Sequence, residues 1–466
     1  MRTKIITVIG GGSANWMREL MRDVYLLDEL QGGEIRLVDP NTEHVQVVVD
    51  LLHTFNRLRN KDFKISVFEN RREALDRADF VMATFSPGSL DAFYNDLEIP
   101  VKYGIRLPVS TTVGIPGISA ALRVVPVAYE IVRDMEEMCP GAWMLNVTNP
   151  MSTVTRAMNM AAVKTRVVGL CHEFHAFDRY MGPMLGLHRP EKMDILTYLY
   201  QWLPEQGFDY TMAGVNHFIW ITRATLRGAD VLPKIRDYCF TYKSLDEGVK
   251  AWRGEVARAA IFQNSGEAKF ALCRQFGYLP MAGDRHLVEY YPSLCNLRNG
   301  FALKYNVAKT TVDGRVLFRE KNLAYMKDII AGKEAVCWER SGEELAEVMR
   351  AVMTGRPATI IANLPNSGQI ENMPADVAVE TLAEVSTTGV TPRLAGALPG
   401  AIGSLCRLHA DIHELTIKAA LEGDRKLLIE AMSLDPSSGG ADFSEIPDLA
   451  DELLSANRQW LPRFYR

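Results

Sequence analysis

The sequence predicts an α/β protein in which an N-terminal, Rossmann-type, doubly wound parallel sheet is followed by an α+β domain. Short β-branched strands alternate with amphipathic helices through the first part of the chain, which is the pattern of a parallel sheet. The first strand, at 4–9, leads directly into three glycines at 10–12. Beyond about residue 190 the alternation fades, so we expect domains at 1–190 and 191–466. A chain of 466 residues suits two such units, because a domain commonly holds roughly 100–200 residues.

The elements of the first domain follow one another as strand, turn and helix. We predict a helix at 13–30, a strand at 34–39, a helix at 41–60, strands at 63–68 and 79–85 around a short helix at 72–78, a helix at 119–138, and strands at 142–147 and 166–170. Polar residues follow the last two strands, at 148–150 and 171–173. Ligands of open α/β sheets bind outside the carboxyl ends of the strands, so these two corners are candidate binding positions.

The second domain is predicted to mix helices and strands without a regular order. Its helices are expected at 245–275, 340–353 and 404–433, and its strands at 301–311 and 357–366.

Composition excludes several classes of protein. The chain has 47% hydrophobic and 23% charged residues and a net charge of −5, which is typical of a soluble globular protein. We expect no nucleic-acid partner, because no basic footprint is present, and no membrane span, because we find no apolar run of about 18 residues. The seven cysteines are odd in number and widely spaced, which indicates reduced thiols and a cytoplasmic location.

The glycine turn predicts a dinucleotide site. A strand, a glycine-rich turn and a helix N-terminus together bind phosphate through backbone N–H groups. Asp39 ends the second strand and can accept hydrogen bonds from a ribose diol, while its charge disfavours a 2′-phosphate and so favours NAD over NADP. Asn15 stands where the usual pattern has its third glycine, so a tight turn that binds nothing remains the alternative. The residues assigned to the cofactor are Gly10, Gly11, Gly12, Ser13 and Asp39.

The two polar corners contain candidate ligands. Asn149, in the Asn-Val-Thr-Asn-Pro stretch at 146–150, can orient a sugar hydroxyl or the nicotinamide, or can simply cap the next helix. Cys171 and His172 both carry metal-binding groups, but neighbouring residues of a strand point in opposite directions. A second metal ligand should therefore come from elsewhere, and His217 is the obvious candidate. On spacing alone, a buried structural cysteine and a hydrogen-bonded histidine remain the simpler interpretation.

The segment 283–291 is dense in ionisable and aromatic side chains. An Asp, His or Tyr from it could act as a general base, and Arg285 could pair with a carboxylate. A solvated loop with an internal ion pair is the alternative.

Taken together, these stretches resemble glycoside hydrolase family 4, the NAD- and metal-dependent glycosidases, whose fold is similar to that of lactate and malate dehydrogenases. The resemblance extends along almost the whole chain. It is carried by IGGGS at 9–13, LVDP at 37–40, GIPGISAALRVVPV at 114–127, NVTNP at 146–150, CHEF at 171–174, GVNHF at 214–218, GDRHLVEYY at 283–291 and NSGQIENMPADVAVE at 366–380.

The resemblance implies roles for particular residues. It implies that Cys171 and His217 bind a divalent metal, typically Mn²⁺, and that Asn149 contacts the sugar beside it. His172 follows the cysteine, as in relatives that act on unphosphorylated sugars or uronates, and the Cys-His-Glu string resembles the α-galacturonidases. We expect His172 to be the acid that protonates the leaving oxygen and Asp284 to be the base, with Tyr290 or Tyr291 as the alternative base.

Glu173 and Arg285 are expected to bind the substrate, Arg285 through a uronate carboxylate. The predicted activity is hydrolysis of an α-glycoside of galacturonic acid by oxidation, elimination, addition and reduction. An α-glucosidase, α-glucuronidase or α-galactosidase is the close alternative. From other classes, a 2-hydroxy-acid dehydrogenase or a non-catalytic NAD sensor would fit the same fold. The resemblance also implies a homodimer or homotetramer.

Overall fold

The computed structural model describes residues 3–109, 111–242, 265–296, 298 and 300–466. The described strands form one mixed sheet. They are β1 (Ile5–Ile9), β2 (Gly32–Val38), β3 (Asp62–Phe68), β4 (Phe80–Ala83), β5 (Trp143–Asn146), β6 (Arg166–Leu170), β7 (Phe208–Val215), β8 (Phe218–Leu226), β9 (Ala229–Asp230), β10 (Leu279–Pro280), β11 (Ala358–Pro365), β12 (Ala378–Ser386) and β13 (Gly389–Pro392).

The N-terminal half of the sheet confirms the predicted doubly wound fold. Its strands run in the order β3-β2-β1-β4-β5-β6, and every neighbouring pair is parallel. This is the strand order of the dinucleotide-binding fold, in which the order reverses beside β1 and leaves a crevice at the carboxyl ends of the strands.

The second half continues the same sheet with antiparallel strands. β11 pairs with β6, and the order then runs β12, β7, β8 and β10, with β13 beside β12 and β9 beside β8. A hydrophobic cluster on the parallel half includes Met326, Val348 and Met349 from the C-terminal part of the chain. The two parts thus share core packing, and the division of the chain at residue 190 stays a prediction.

Helices cover the sheet and connect its strands. They are α1 (Met17–Leu26), α2 (Thr42–Arg59), α3 (Arg71–Leu75), α4 (Ser89–Lys102), α5 (Gly114–Met138), α6 (Met151–Ala161), α7 (Asp178–Leu185), α8 (Ile195–Thr197), α9 (Leu203–Glu205), α10 (Leu232–Thr241), α11 (Glu267–Phe276), α12 (Asp284–Tyr290), α13 (Val312–Ile330), α14 (Leu345–Thr354), α15 (Gly400–Glu422), α16 (Arg425–Leu434) and α17 (Ile446–Ala456).

Three predicted elements differ from the structure. The first helix begins at Met17 and not at residue 13, because the glycine turn continues through Trp16. The strand predicted at 301–311 is wrong: Phe301, Ala302 and Asn306 have φ values of 53°, 77° and 54°, which an extended strand does not allow. The helix predicted at 404–433 is divided by Gly423, whose φ is 72°. Of the helix predicted at 245–275, residues 245–264 lie outside the described part of the chain.

Helix α5 is long and apolar enough, by length and composition alone, to cross a membrane. Most of it is buried inside the protein, where it packs against α6 and α15. A buried core helix explains the same composition.

Candidate active site

The glycine turn joins β1 to α1 at the carboxyl edge of the parallel strands. Gly10 has a φ of 92°, and a Cβ there would lie 2.2 Å from the carbonyl oxygen of Thr84. Only glycine therefore fits between β1 and the end of β4. The N–H groups of Gly10 and Gly11 donate to the carbonyl of Val38 at 2.8 and 3.1 Å, which fixes the turn against β2.

Asp39 holds the turn from the end of β2. Its Oδ2 accepts from the N–H of Gly12 at 3.0 Å, and its Oδ1 accepts from the N–H of Asn41 at 2.8 Å. Each carboxylate oxygen has more than one acceptor site, so Asp39 can still accept from a ribose hydroxyl. The predicted ribose ligand is thus also a structural part of the turn.

The backbone donors of the turn that have no acceptor among the described residues lie slightly later than the glycines. The N–H groups of Gly10 to Gly12 and Ser13 are all used inside the turn or by β2 and Asp39. Within the described residues, no acceptor is paired with the N–H groups of Ala14 and Asn15. These two donors precede α1, where a phosphate is favoured. Helix α13 lies beside this turn, since Asn322 Nδ2 donates to Asn15 Oδ1 at 3.1 Å.

Cys171 and His217 come together at the boundary between the two halves of the sheet. Cys171 follows β6, and His217 lies in the turn between β7 and β8. The distance from Cys171 Sγ to His217 Nε2 is 3.2 Å, and His217 Nδ1 lies 2.9 Å from Thr112 Oγ1. The contact with Thr112 fixes the ring so that Nε2 faces the sulfur.

This pair fits a metal ion. With bond lengths of about 2.3 Å to sulfur and about 2.0 Å to nitrogen, as for zinc, two ligands of one ion lie roughly 3.1–3.6 Å apart. Burial and the neighbouring His286 hold the pKa of His217 well below its usual value, so its imidazole is neutral and able to ligate. In the described residues no three His, Cys, Asp or Glu side chains converge on one ion. A metal held here would keep coordination positions open for substrate.

The Cys171 thiol needs a cation to ionise. Burial, with Glu380 and Glu173 close by, holds its pKa well above the usual value. A divalent ion would displace the thiol proton as it binds. A partly buried cysteine beside two carboxylates and with no cation is expected to stay protonated and unreactive.

Glu173 links the end of β6 to α12. Its Oε2 accepts from the Gly283 N–H at 2.9 Å, and its Oε1 lies 3.2 Å from His286 Nε2. The His286 ring lies against the His217 ring at a tilt of 32°, with 3.9 Å between centroids. Although burial opposes ionisation, His286 and the neighbouring cations hold the pKa of Glu173 well below its usual range. Both oxygens thus contact α12, and substrate binding by Glu173 stays a prediction.

His172 is paired with a carboxylate that the sequence did not identify. Its Nδ1 lies 2.7 Å from Glu343 Oε1, and its side chain is 44% exposed whereas that of Glu343 is 8% exposed. Partial desolvation of the ring lowers the pKa of His172, but the charge and hydrogen bond of Glu343 outweigh it and raise the pKa to about 9. His172 is therefore an exposed imidazolium at neutral pH. Trp16 lies against its ring, with 5.7 Å between centroids.

Asp284 is fully buried at the first turn of α12. Its Oδ1 accepts from the Lys269 N–H at 3.0 Å and its Oδ2 from Ser265 Oγ at 3.4 Å. Burial raises its pKa, and the buried Lys269 opposes that rise. The Lys269 ammonium donates to the Met281 carbonyl at 3.0 Å. Asp284 therefore lies between α11 and α12, with its carboxylate held by Ser265 and Lys269.

The alternative bases are held differently. The hydroxyl of Tyr290 donates to the Asn216 carbonyl, and its ring stacks on Phe218 at 4.7 Å. Burial raises the pKa of Tyr290 well above its usual value. Tyr291 is only partly buried and packs its ring edge-on against Phe276. The hydroxyl of Tyr290 is thus engaged by the backbone of the β7–β8 turn.

Two further predicted residues lie at the same edge of the sheet. Asn149 Oδ1 accepts from the Met151 N–H at 3.2 Å and so caps α6, while the side chain stays only partly buried. Arg285 is half-buried on α12, and its charge acts on His172, Glu173 and His217. The structure therefore brings most of the predicted residues to one edge, next to the glycine turn.

These features define an α/β protein whose parallel half has the strand order of the dinucleotide-binding fold and whose Cys–His pair lies where that half meets the antiparallel strands. The model of the family 4 glycosyl hydrolases matches residues 5–187, and that of the family 4 C-terminal domain matches residues 212–438. The chain belongs to this family.

Curated relatives and solved structures agree with the assignment. An α-galacturonidase of Bacillus subtilis is 32% identical over 92% of each chain, and an α-galactosidase of the same organism is 29% identical over 99% of this chain and all of the relative. The crystal structure of a B. subtilis protein described as a glucosidase has a TM-score of 0.84 at 30% identity and covers 97% of this chain and all of that one. A 6-phospho-α-glucosidase from gut microorganisms, solved with NAD and Mn²⁺, has a TM-score of 0.78 at 20% identity over 99% of each chain and shows the fold alone.

Proposed function

We propose that this chain hydrolyses α-glycosides of galacturonic acid, using NAD⁺ and a divalent metal, Mn²⁺ being the expected one. The observation that carries the proposal is the Cys171–His217 pair, 3.2 Å apart, at the same sheet edge as the glycine turn. Family membership supports the glycosidase class, and the α-galacturonidase relative supports the sugar.

Each proposed cofactor has residues that fit it. The Ala14 and Asn15 N–H groups and Asp39 would hold the dinucleotide, and Cys171 with His217 would hold the metal. When bound, NAD⁺ would accept and return a hydride at C3 of the sugar, while the metal would stabilise negative charge on the neighbouring sugar oxygens.

The chain's own residues would move the protons. His172 is exposed and protonated at neutral pH, so it can donate a proton to the glycosidic oxygen as the aglycone leaves C1. Asp284 would remove the C2 proton, which is acidic while C3 is a ketone. Glu343 keeps the His172 ring oriented through the 2.7 Å contact with Nδ1, which leaves Nε2 for the substrate.

Two arginines support a uronate substrate. The charge of Arg285 acts on His217. Arg315 lies in the first turn of α13, where burial and the charge of Arg285 lower its pKa to about 10. Among the described residues, no carboxylate forms an ion pair with Arg315, whose guanidinium instead lies 5.7 Å from the Phe93 ring. A substrate carboxylate would relieve the repulsion between the two cations.

A panel of nitrophenyl glycosides tests this proposal. With NAD⁺, Mn²⁺ and a thiol reductant, we expect nitrophenyl α-galacturonide to be cleaved faster than the α-glucuronide, α-galactoside and α-glucoside, without net NADH. The α-galactosidase relative makes the α-galactoside the main competitor. Accumulation of NADH in proportion to product would instead indicate a dehydrogenase.

Substitution of Arg285 tests directly whether it binds the substrate carboxylate. Arg285→Ala should lower kcat/KM on the galacturonide roughly 10- to 150-fold, since a hydrogen bond to a charged group contributes about 1.5–3 kcal/mol. The galactoside should be cleaved nearly as before. Arg393→Ala is the matched control, because Arg393 is exposed and pairs with the exposed Glu384 at 2.9 Å. Equal losses on both substrates would reject a carboxylate role for Arg285.

We also propose a cytoplasmic homodimer or homotetramer. All seven cysteines are free, which suits a reducing compartment. Sedimentation of the purified chain would measure the oligomeric state.

A further inference from the structure

A row of polar side chains and glycines crosses the centre of the sheet beneath the Cys–His pair. The register places Asn146 of β5 opposite Gly169 of β6, Gly169 opposite Asn363 of β11, Asn363 opposite Glu380 of β12, and Glu380 opposite Gly214 of β7. The three polar residues of this row are at most 1% exposed: Asn146, Asn363 and Glu380. Burying polar groups in the middle of a sheet costs free energy, so the row needs a compensating role.

Glu380 makes a specific contact from this row. Its Oε2 accepts from the Asn216 Nδ2 amide at 3.1 Å. Asn216 is held at its backbone too, because its N–H donates to Ser152 Oγ at 3.1 Å and its carbonyl accepts from the Tyr290 hydroxyl. Three separate elements, β12, α6 and α12, therefore fix this one residue.

Asn216 precedes the metal-ligand candidate in a two-residue turn. Val215 pairs with Phe218, so Asn216 and His217 alone connect β7 to β8. His217 has a φ of 63°, a left-handed conformation that costs a residue with a Cβ and persists only when its surroundings fix it. The direction of the His217 ring thus depends on how firmly Asn216 is held.

We propose that Glu380 is a positioning residue that, through Asn216, fixes the β7–β8 turn and so aims His217 Nε2 at Cys171 Sγ. The proposal rests on the proposed metal-dependent function. Outer partners of metal ligands act in this way in general: they orient the ligands without touching the ion, and removing them weakens binding about 10- to 100-fold.

Mn²⁺ affinity of the full-length protein, measured by calorimetry with no substrate present, tests the proposal. Glu380→Ala should weaken Mn²⁺ binding about 10- to 100-fold, because the Asn216 amide loses its acceptor. Glu380→Gln keeps an oxygen at the same place and should bind Mn²⁺ nearly as the wild type does. NAD⁺ affinity should not change in either variant. Glu384→Ala is the control, because Glu384 is an exposed glutamate on the same strand. Its Mn²⁺ affinity should match that of the wild type.

A double-mutant cycle separates positioning from general weakening of the fold. If Glu380 acts through Asn216, then Glu380→Ala combined with Asn216→Ala should lose no more affinity than the larger single loss. Additive losses, an unchanged Mn²⁺ affinity in Glu380→Ala, or a parallel loss of NAD⁺ binding would overturn the proposal. If Glu380→Ala does not fold, Asn216→Ala and Glu380→Gln still give the two contrasting results. A wild type that binds no Mn²⁺ would overturn the metal site itself and this inference with it.

Discussion

The dinucleotide side and the metal side of the site are assembled in different ways. The glycine turn and Asp39 lie within one βαβ unit, and Gly12 and Asp39 contact each other directly. Cys171, His217 and Glu343 come instead from the end of β6, the β7–β8 turn and the segment before α14. Local sequence therefore defines the first side, whereas only the packing of the antiparallel half against β6 defines the second.

The largest expected effect is a loss of hydrolysis, caused on the metal side of the site, without a loss of NAD⁺ binding on the dinucleotide side. Cys171→Ser and His217→Ala should each abolish hydrolysis, because each removes one of two protein ligands of the metal. NAD⁺ affinity, measured by calorimetry, should remain that of the wild type. Cys337→Ser is the control, since Cys337 is exposed and free. Activity retained in excess EDTA after dialysis would reject a catalytic metal.

The next effect concerns the base. Asp284→Asn should slow hydrolysis roughly 10²-fold or more, the usual contribution of a general base. It should still reduce bound NAD⁺ when given substrate, because the hydride step comes before proton removal at C2. Tyr290→Phe is the comparison variant. The measurement is exchange of the C2 hydrogen of the sugar with solvent deuterium. If Tyr290→Phe lost this exchange while Asp284→Asn kept it, the tyrosine and not the aspartate would be the base.

The proposed role of His172 as the acid predicts that the rate of hydrolysis depends on pH. His172 donates a proton only while protonated, so activity should fall as pH rises through about 9, the raised pKa that Glu343 produces. Glu343→Gln removes the charge that raises this pKa, so the alkaline limb should move to lower pH. The kcat profile over pH 6–10 measures the shift. An alkaline limb that stays at the same pH would show that Glu343 does not raise the pKa of the catalytic acid.

The smallest effect lies on the dinucleotide side. Asp39→Ala should narrow the preference for NAD⁺ over NADP⁺, because the charge that repels a 2′-phosphate is gone. It should also lower NAD⁺ affinity modestly, since the Gly12 N–H loses its acceptor. Mn²⁺ affinity should not change. A wild type that binds NADP⁺ as tightly as NAD⁺ would contradict the assignment of Asp39.

The sequence predicted the fold well and located the glycine turn and Asp39 at the ends of β1 and β2, for physical reasons. Alternating strands and helices, the glycines and Asp39 act through neighbours in the chain, so their roles can be inferred from local order. Glu343 could not be found, because nothing near it in sequence marks it as the partner of His172, 171 residues earlier. Glu380 could not be found either, since its role depends on the strand register that places β12 beside β7.

Hydrolysis in D₂O tests the central claim most directly. If C3 is oxidised and the C2 proton is removed before the aglycone leaves, the galacturonic acid released by the wild type should carry deuterium at C2, as detected by NMR. No net NADH should accumulate during the reaction. A released sugar with its original hydrogen at C2 would show direct displacement at C1 and contradict the mechanism proposed for this chain.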